Sequence, residues 1–97
     1  MKRVSFKRTA LSTGLGKAVE TFREAQALTQ GKCARDCELD PVVITAIEEG
    51  EYRLTLSDLE KLAEVLKVRP YQLMALGETL AMREERQGKK KRSRRTS

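Results

Sequence analysis

A chain of 97 residues with a net charge of +6 and 39% apolar residues holds a single small domain. A domain of this size buries only about 60–65% of its unfolded surface, which leaves no room for a deep catalytic cleft. The absence of histidine removes the usual general base and the commonest metal ligand together, so neither an enzyme, a metal site nor a cofactor is expected.

The chain opens on a basic arm, residues 1–12, carrying Lys2, Arg3, Lys7 and Arg8 with no acid. It has neither an apolar run of about 18 residues nor the apolar middle of a signal peptide, and a cytoplasmic protein is expected. Ser12, Thr13 and Gly14 form a turn or cap before the first helical pattern, in which Leu15, Val19, Phe22 and Gln26 share one face. That helix ends near Ala27. Thr29 then offers an N-cap hydroxyl to a second helix from about Gln30 to Cys37, with Cys33, Ala34 and Cys37 inward. The two cysteines lie one turn apart on the same face with parallel side-chain directions, poor geometry for a disulfide. They read as free core thiols in a reducing compartment.

Asp40-Pro41 marks the next start, an acidic N-cap followed by proline at the first helical position. The third helix runs to about Glu49, with Ile44 and Ile47 inward, and Gly50 stops it. Only Glu38, Leu39 and Asp40 separate helices two and three, the short connection of a helix-turn-helix. Whether Val43 extends the core face or joins Val42 on the surface is open at this point. After a loop over residues 51–56, Ser57 caps a fourth helix with Leu59, Leu62, Ala63 and Leu66 on its stripe. Pro70 opens a fifth helix carrying Leu73, Met74 and Leu76, interrupted at Gly77 and continued to about Gln87. Met74, Leu76, Leu80 and Met82 are candidates for core or for a dimer surface.

Residues 88–97 add Lys89, Lys90, Lys91, Arg92, Arg94 and Arg95, so the basicity sits in the two ends, while residues 11–87 carry a net −4. Neither end has apolar periodicity to offset its ordering entropy, and both read as structureless. A basic arm beside a folded domain suits sequence-independent contacts to phosphates. The organisation is therefore an arm over 1–12, an all-α domain over 13–78, and a helix extension with a disordered basic tail over 79–97.

These residues resemble the lambda-repressor-like helix-turn-helix domain, the Cro/C1 or XRE type. Leu15-Gly16, Val19, Phe22-Arg23 and Leu28-Thr29-Gln30 match its opening pattern; Ala34 is its small residue in helix two. Ile44, Ile47, Glu48 and Gly50 match the end of its third helix, and Leu59, Leu62, Ala63, Leu66, Val68 and Leu73 its closing pattern. The resemblance runs without a gap from Leu15 to Leu73. It implies a five-helix fold, an Arg23–Glu48 ion pair, and a bacterial, phage or plasmid origin.

It also implies double-stranded DNA as partner, bound by a homodimer with helix three in the major groove. Pro41, Val42, Val43, Thr45, Ala46 and Glu49 then face the bases, and Gln30 at the start of helix two takes a phosphate. Lys32, Arg35 and Arg53 are further phosphate candidates. The sequence departs from the family in three places. None of the base-facing residues is Arg, Lys, Asn or Gln, the types that make bidentate base contacts. Glu38 stands where glycine is usual, and Cys33 and Cys37 stand where leucine is usual. The alternative use of the same fold is a protein-interaction module, such as an antitoxin holding a toxin through an exposed Val42/Val43 patch.

Overall fold

The computed structural model describes residues 9–96, with side chains from 9 to 86. Five helices follow one another: α1 (Ala10–Ala25), α2 (Gln30–Cys37), α3 (Pro41–Glu48), α4 (Leu56–Leu66) and α5 (Pro70–Thr96). No strand occurs among the described residues, and none of their helices is long and apolar enough to cross a membrane. The fold class expected from the sequence is the one found, all-α with five helices.

Two boundaries move, for the same physical reason. α1 starts three residues earlier than the Ser12-Thr13-Gly14 cap expected from the sequence. Thr9 is its N-cap, with Ser12 N–H donating to Thr9 Oγ1 at 3.0 Å and Thr9 N–H to Ser12 Oγ at 2.9 Å. α4 is capped by Thr55 and not Ser57; here Asp58 N–H donates to Thr55 Oγ1 and Thr55 N–H to Asp58 Oδ2, both at 3.1 Å. Each reciprocal pair satisfies two helix-end donors at once, where a lone serine hydroxyl would satisfy one.

α5 is longer than expected. Gly77 does not interrupt it, and its backbone remains helical to Thr96, across residues expected as a structureless tail. Propagation explains the difference: extending a nucleated helix through straight-chain Glu, Lys and Arg costs far less than starting one. The arm residues Lys2, Arg3, Lys7 and Arg8 lie outside the described residues, as do the side chains of Lys89 through Arg95.

The core is aliphatic, formed by Leu15, Ala18 and Val19 of α1, Cys33, Ala34 and Cys37 of α2, Ile44 and Ile47 of α3, Leu59, Leu62, Ala63 and Leu66 of α4, and Leu73 of α5. Val43, Leu76 and Leu80 pack against it, while Val42, Met74 and Met82 stay exposed. α1 is the central strut, packed on α3 and α4 and most extensively on α5. Two of its glycines permit this. A Cβ on Gly14 would collide with the carbonyl oxygen of Gly77 and lie 2.7 Å from Ala81 N; one on Gly16 would collide with the carbonyl of Ile47. The backbone of α1 therefore sits directly on the last turn of α3.

Candidate nucleic-acid interface

The short helix α3 is built to be held by one side. Asp40 Oδ1 accepts from Val42 N–H at 2.9 Å, Pro41 occupies the first position, and Ile44 and Ile47 are buried. At 3.6 residues per turn, Pro41, Val42, Thr45, Ala46 and Glu49 fall on the opposite arc. Pro41, Val42 and Glu49 are exposed, Val42 to 73%, while Thr45 and Ala46 are half-buried. Val43 leaves that arc and turns toward the core, so the apolar patch needed by the protein-binding alternative contracts to Pro41 and Val42. The far end is closed by Gly50 at φ +75°, with Gly50 N–H donating to Ile47 O at 3.0 Å and Glu51 N–H to Ala46 O at 2.9 Å.

A polar relay fixes α3 against α1 and α2. Arg23 Nε donates to Glu48 Oε2 at 2.6 Å and its Nη2 to Glu48 Oε1 at 3.1 Å, while Nη1 reaches the Leu28 carbonyl at 2.7 Å. The two side chains are only 10% and 5% exposed. The hydrogen bond to Glu48 raises the pKa of Arg23 above its usual value, against the opposing pull of burial. Gln30 Nε2 also donates to Glu48 Oε1, at 2.7 Å, and Gln30 Oε1 accepts from Thr45 Oγ1 at 3.2 Å. Thr45 Oγ1 lies equally 3.2 Å from the carbonyl oxygen of Pro41, one turn back.

The Arg23–Glu48 pair is thus present as the family resemblance implies. The links through Gln30 and Thr45 are not legible from spacing, because they join α2 to α3 through two side chains of ordinary polarity. Gly16 did carry a signal: a glycine within a helical pattern marks a close approach.

Of the other phosphate candidates, Lys32 is exposed and paired with Asp36 at 3.3 Å, one turn along α2. Such an exposed pair is worth less than about 1 kcal/mol and yields readily to a phosphate. Arg35 and Arg53 are exposed and form no ion pair among the described residues. Arg53 borders a shallow cleft of about 200 Å³ with Leu11, Leu15, Ile47 and Tyr52.

Cys33 and Cys37 are both free and buried. The neighbouring Cys33 thiol and burial together push the pKa of Cys37 up. Cys37 Sγ also faces the Lys61 carbonyl at 3.9 Å. No cluster of three or more metal-ligating side chains occurs among the described residues.

A family profile described as helix-turn-helix matches residues 19–73. A curated Neisseria meningitidis protein, described as a hypothetical transcription factor, is 38% identical over 53 residues. That match covers 55% of this chain and 50% of the relative, so the chain spans about half the relative's length. Among solved structures, the clp gene regulator ClgR of Corynebacterium glutamicum superposes with a TM-score of 0.82 at 18% identity, covering 86% of this chain and 88% of its own. The protein C.Esp1396I, solved bound to a 19 base pair DNA duplex, superposes with a TM-score of 0.65 at 23% identity, covering 72% and 93%. At these identities the two structures speak for the fold.

Proposed function

Because the chain belongs to the helix-turn-helix family of the lambda-repressor-like type, we propose that it is a DNA-binding transcriptional regulator that lays α3 in the major groove. The observation that carries this reading is the outward arc of α3. Among the described residues Pro41, Val42 and Glu49 are exposed on its outer side, and behind them the helix is held by the Arg23–Glu48–Gln30–Thr45 relay and by the Gly16 contact. A helix that reads bases must be rigid and unobstructed, and this one is both. The description of the Neisseria relative and the duplex bound by C.Esp1396I support the same reading.

The N-terminus of α2 provides backbone N–H groups and the Gln30 amide for a phosphate, with Lys32 and Arg35 on the same helix and Arg53 as a separate phosphate contact from the loop after α3. The basic residues at both ends of the chain add affinity without sequence preference. We take the working form as a homodimer on two half-sites about one helical turn apart. The exposed Tyr71, Met74 and Met82 on α5 are the apolar surface available for it.

The test is fluorescence-anisotropy titration of DNA from upstream of the protein's own gene and of a scrambled duplex, across a salt series. A preference above about 100-fold at physiological salt is the expected result. Equal, steeply salt-dependent affinity for both duplexes would overturn specific regulation and leave only the basic ends as binders.

A further inference from the structure

The base-facing arc of α3 has a chemical polarity. Pro41, Val42, Thr45, Ala46 and Glu49 include no amide, ammonium or guanidinium side chain. Thr45 has the one hydroxyl among them, and a hydroxyl carries one proton and two lone pairs. Both of its close partners, Gln30 Oε1 and Pro41 O, are acceptors at 3.2 Å, so the proton is held inside the protein. The Gln30 amide cannot turn round to change this. Its Nε2 faces Glu48 Oε1 at 2.7 Å, and a flipped amide would set oxygen against a carboxylate oxygen. Thr45 Oγ1 therefore meets the groove as an acceptor, and Glu49 offers acceptors only.

In the major groove the exocyclic amino groups of adenine and cytosine are donors, while guanine presents only its N7 and O6 acceptors. From the hydrogen-bond polarity of Thr45, resting on the DNA-binding reading above, we propose that Thr45 is a specificity-determining residue that accepts from the amino group of adenine or cytosine and rejects guanine. Gln30 acts through it as a positioning residue: its Oε1 holds the Thr45 proton. Its second amide hydrogen has no acceptor among the described residues and remains for a phosphate. The methyl groups of Val42 and Ala46 flank Thr45 on the same arc and fit the thymine C5-methyl. The recognised step is thus an amino-bearing base beside a thymine, read with no bidentate contact to guanine.

The experiment is selection from a duplex library with a randomised core, using the full chain and its Thr45→Val variant. Valine keeps the branched shape and removes the oxygen, and Thr45 is only half-buried, so thermal melting should show both proteins folded. The expected result is one base pair of the motif, with its amino-bearing base adenine or cytosine, that is fixed with the wild type and loses that preference in the variant. Replacing that base by its analogue without the amino group, purine or 2-pyrimidinone, should then weaken wild-type binding about three- to tenfold, as one neutral hydrogen bond is worth. The variant should be indifferent to the replacement. Wild-type affinity unchanged by removal of that amino group, or a motif identical for both proteins, would overturn the proposal while leaving DNA binding intact. A library from which nothing is enriched would overturn the DNA-binding reading itself.

Discussion

Helix α1 is gripped on two sides by different means. Toward α5 the contact is steric: Gly14 faces the Gly77 carbonyl and Ala81, and Gly77 in turn faces Leu15, with backbone against backbone and no polar side chain between them. Toward α2 and α3 it is marked by a polar relay, running from Arg23 through Glu48 to Gln30 and Thr45, with Gly16 and Thr13 set close to the end of α3. Close backbone packing gives dispersion and burial without directional preference. A bidentate ion pair with a bonded amide fixes angle and register. The scaffold seam therefore tolerates any geometry that is tight enough, whereas the seam behind α3 specifies one orientation.

The comparison breaks most sharply at Gly14. Gly14→Ala places a methyl group into the Gly77 carbonyl, where the blocking atoms are backbone and cannot step aside. A loss of about 3 kcal/mol is expected, the upper end of overpacking costs. At about 4–8 °C per kcal/mol for a domain of this size, thermal denaturation would register it plainly. The same change at Gly31, which has nothing within 4 Å of its would-be Cβ, should instead raise stability by roughly 0.5 kcal/mol through helix propensity. Equal effects at the two sites would mean that propensity, and not the α1–α5 approach, governs Gly14.

The polar seam should fail more mildly and more specifically. Glu48→Ala leaves Arg23 without its carboxylate, but the guanidinium keeps the Leu28 carbonyl and its side chain is 10% exposed. The expected loss is about 2–3 kcal/mol, below the cost of stranding a fully buried charge. Because Gln30 loses its anchor too, DNA affinity should fall beyond what the unfolded fraction explains. A variant with lowered melting temperature and unchanged affinity for its operator at 10 °C would remove the relay from the positioning of α3.

Legibility in the sequence followed the same division. α2 and the start of α3 carry strong local markers in Thr29 and Asp40-Pro41, and the structure begins both helices where those markers stand. The starts of α1 and α4 differ from the expectation because Ser12-Thr13-Gly14 and Ser57 are cap-forming residue types that lie inside the helices. The reciprocal pairs Thr9/Ser12 and Thr55/Asp58 satisfy more donors, and the spacing of the second was readable as a capping box. α5 outruns the expectation because the composition of its basic end carries no sign of the nucleated helix that precedes it. The site itself was half legible. The Arg23–Glu48 pair and the identity of the outward arc follow from pattern and resemblance, but the commitment of the Thr45 proton depends on Gln30, fifteen residues away and on another helix.

The capping box of α4 gives the third contrast, since it acts locally, whereas that of α1 also reaches the end of α3 through Ser12 Oγ, which donates to the Gly50 carbonyl at 3.0 Å. Thr55→Ala removes the acceptor for Asp58 N–H and leaves the backbone N–H of residue 55 still donating to Asp58 Oδ2. Loss of about 1 kcal/mol is expected from chemical denaturation, with no change in denaturant slope because the surface exposed on unfolding stays the same. A loss above about 3 kcal/mol would show that the cap couples to packing beyond α4.

The smallest effect should be a gain. Four helix ends share one geometry, in which a left-handed residue donates back to the helix and the next residue donates five positions back: Ala27, Glu38, Gly50 and Lys67. Only Gly50 is a glycine, and only there does packing also demand it, since its Cβ would lie 2.8 Å from Thr13 Cα. At the other three the backbone bears a left-handed strain of roughly 1 kcal/mol that nothing nearby requires. Glu38 bears most, because its exposed carboxylate also stands at the negative end of the α2 dipole. Glu38→Gly should therefore raise stability by about 0.5–1 kcal/mol, with part of the strain relief returned as extra freedom of the unfolded chain. Glu38→Ala separates the two causes, for it removes the charge and keeps the strain, and it should recover only the smaller, salt-sensitive part. If alanine and glycine stabilise alike, the turn between the two helices is limited by charge alone, and its left-handed residue is indifferent to the side chain it carries.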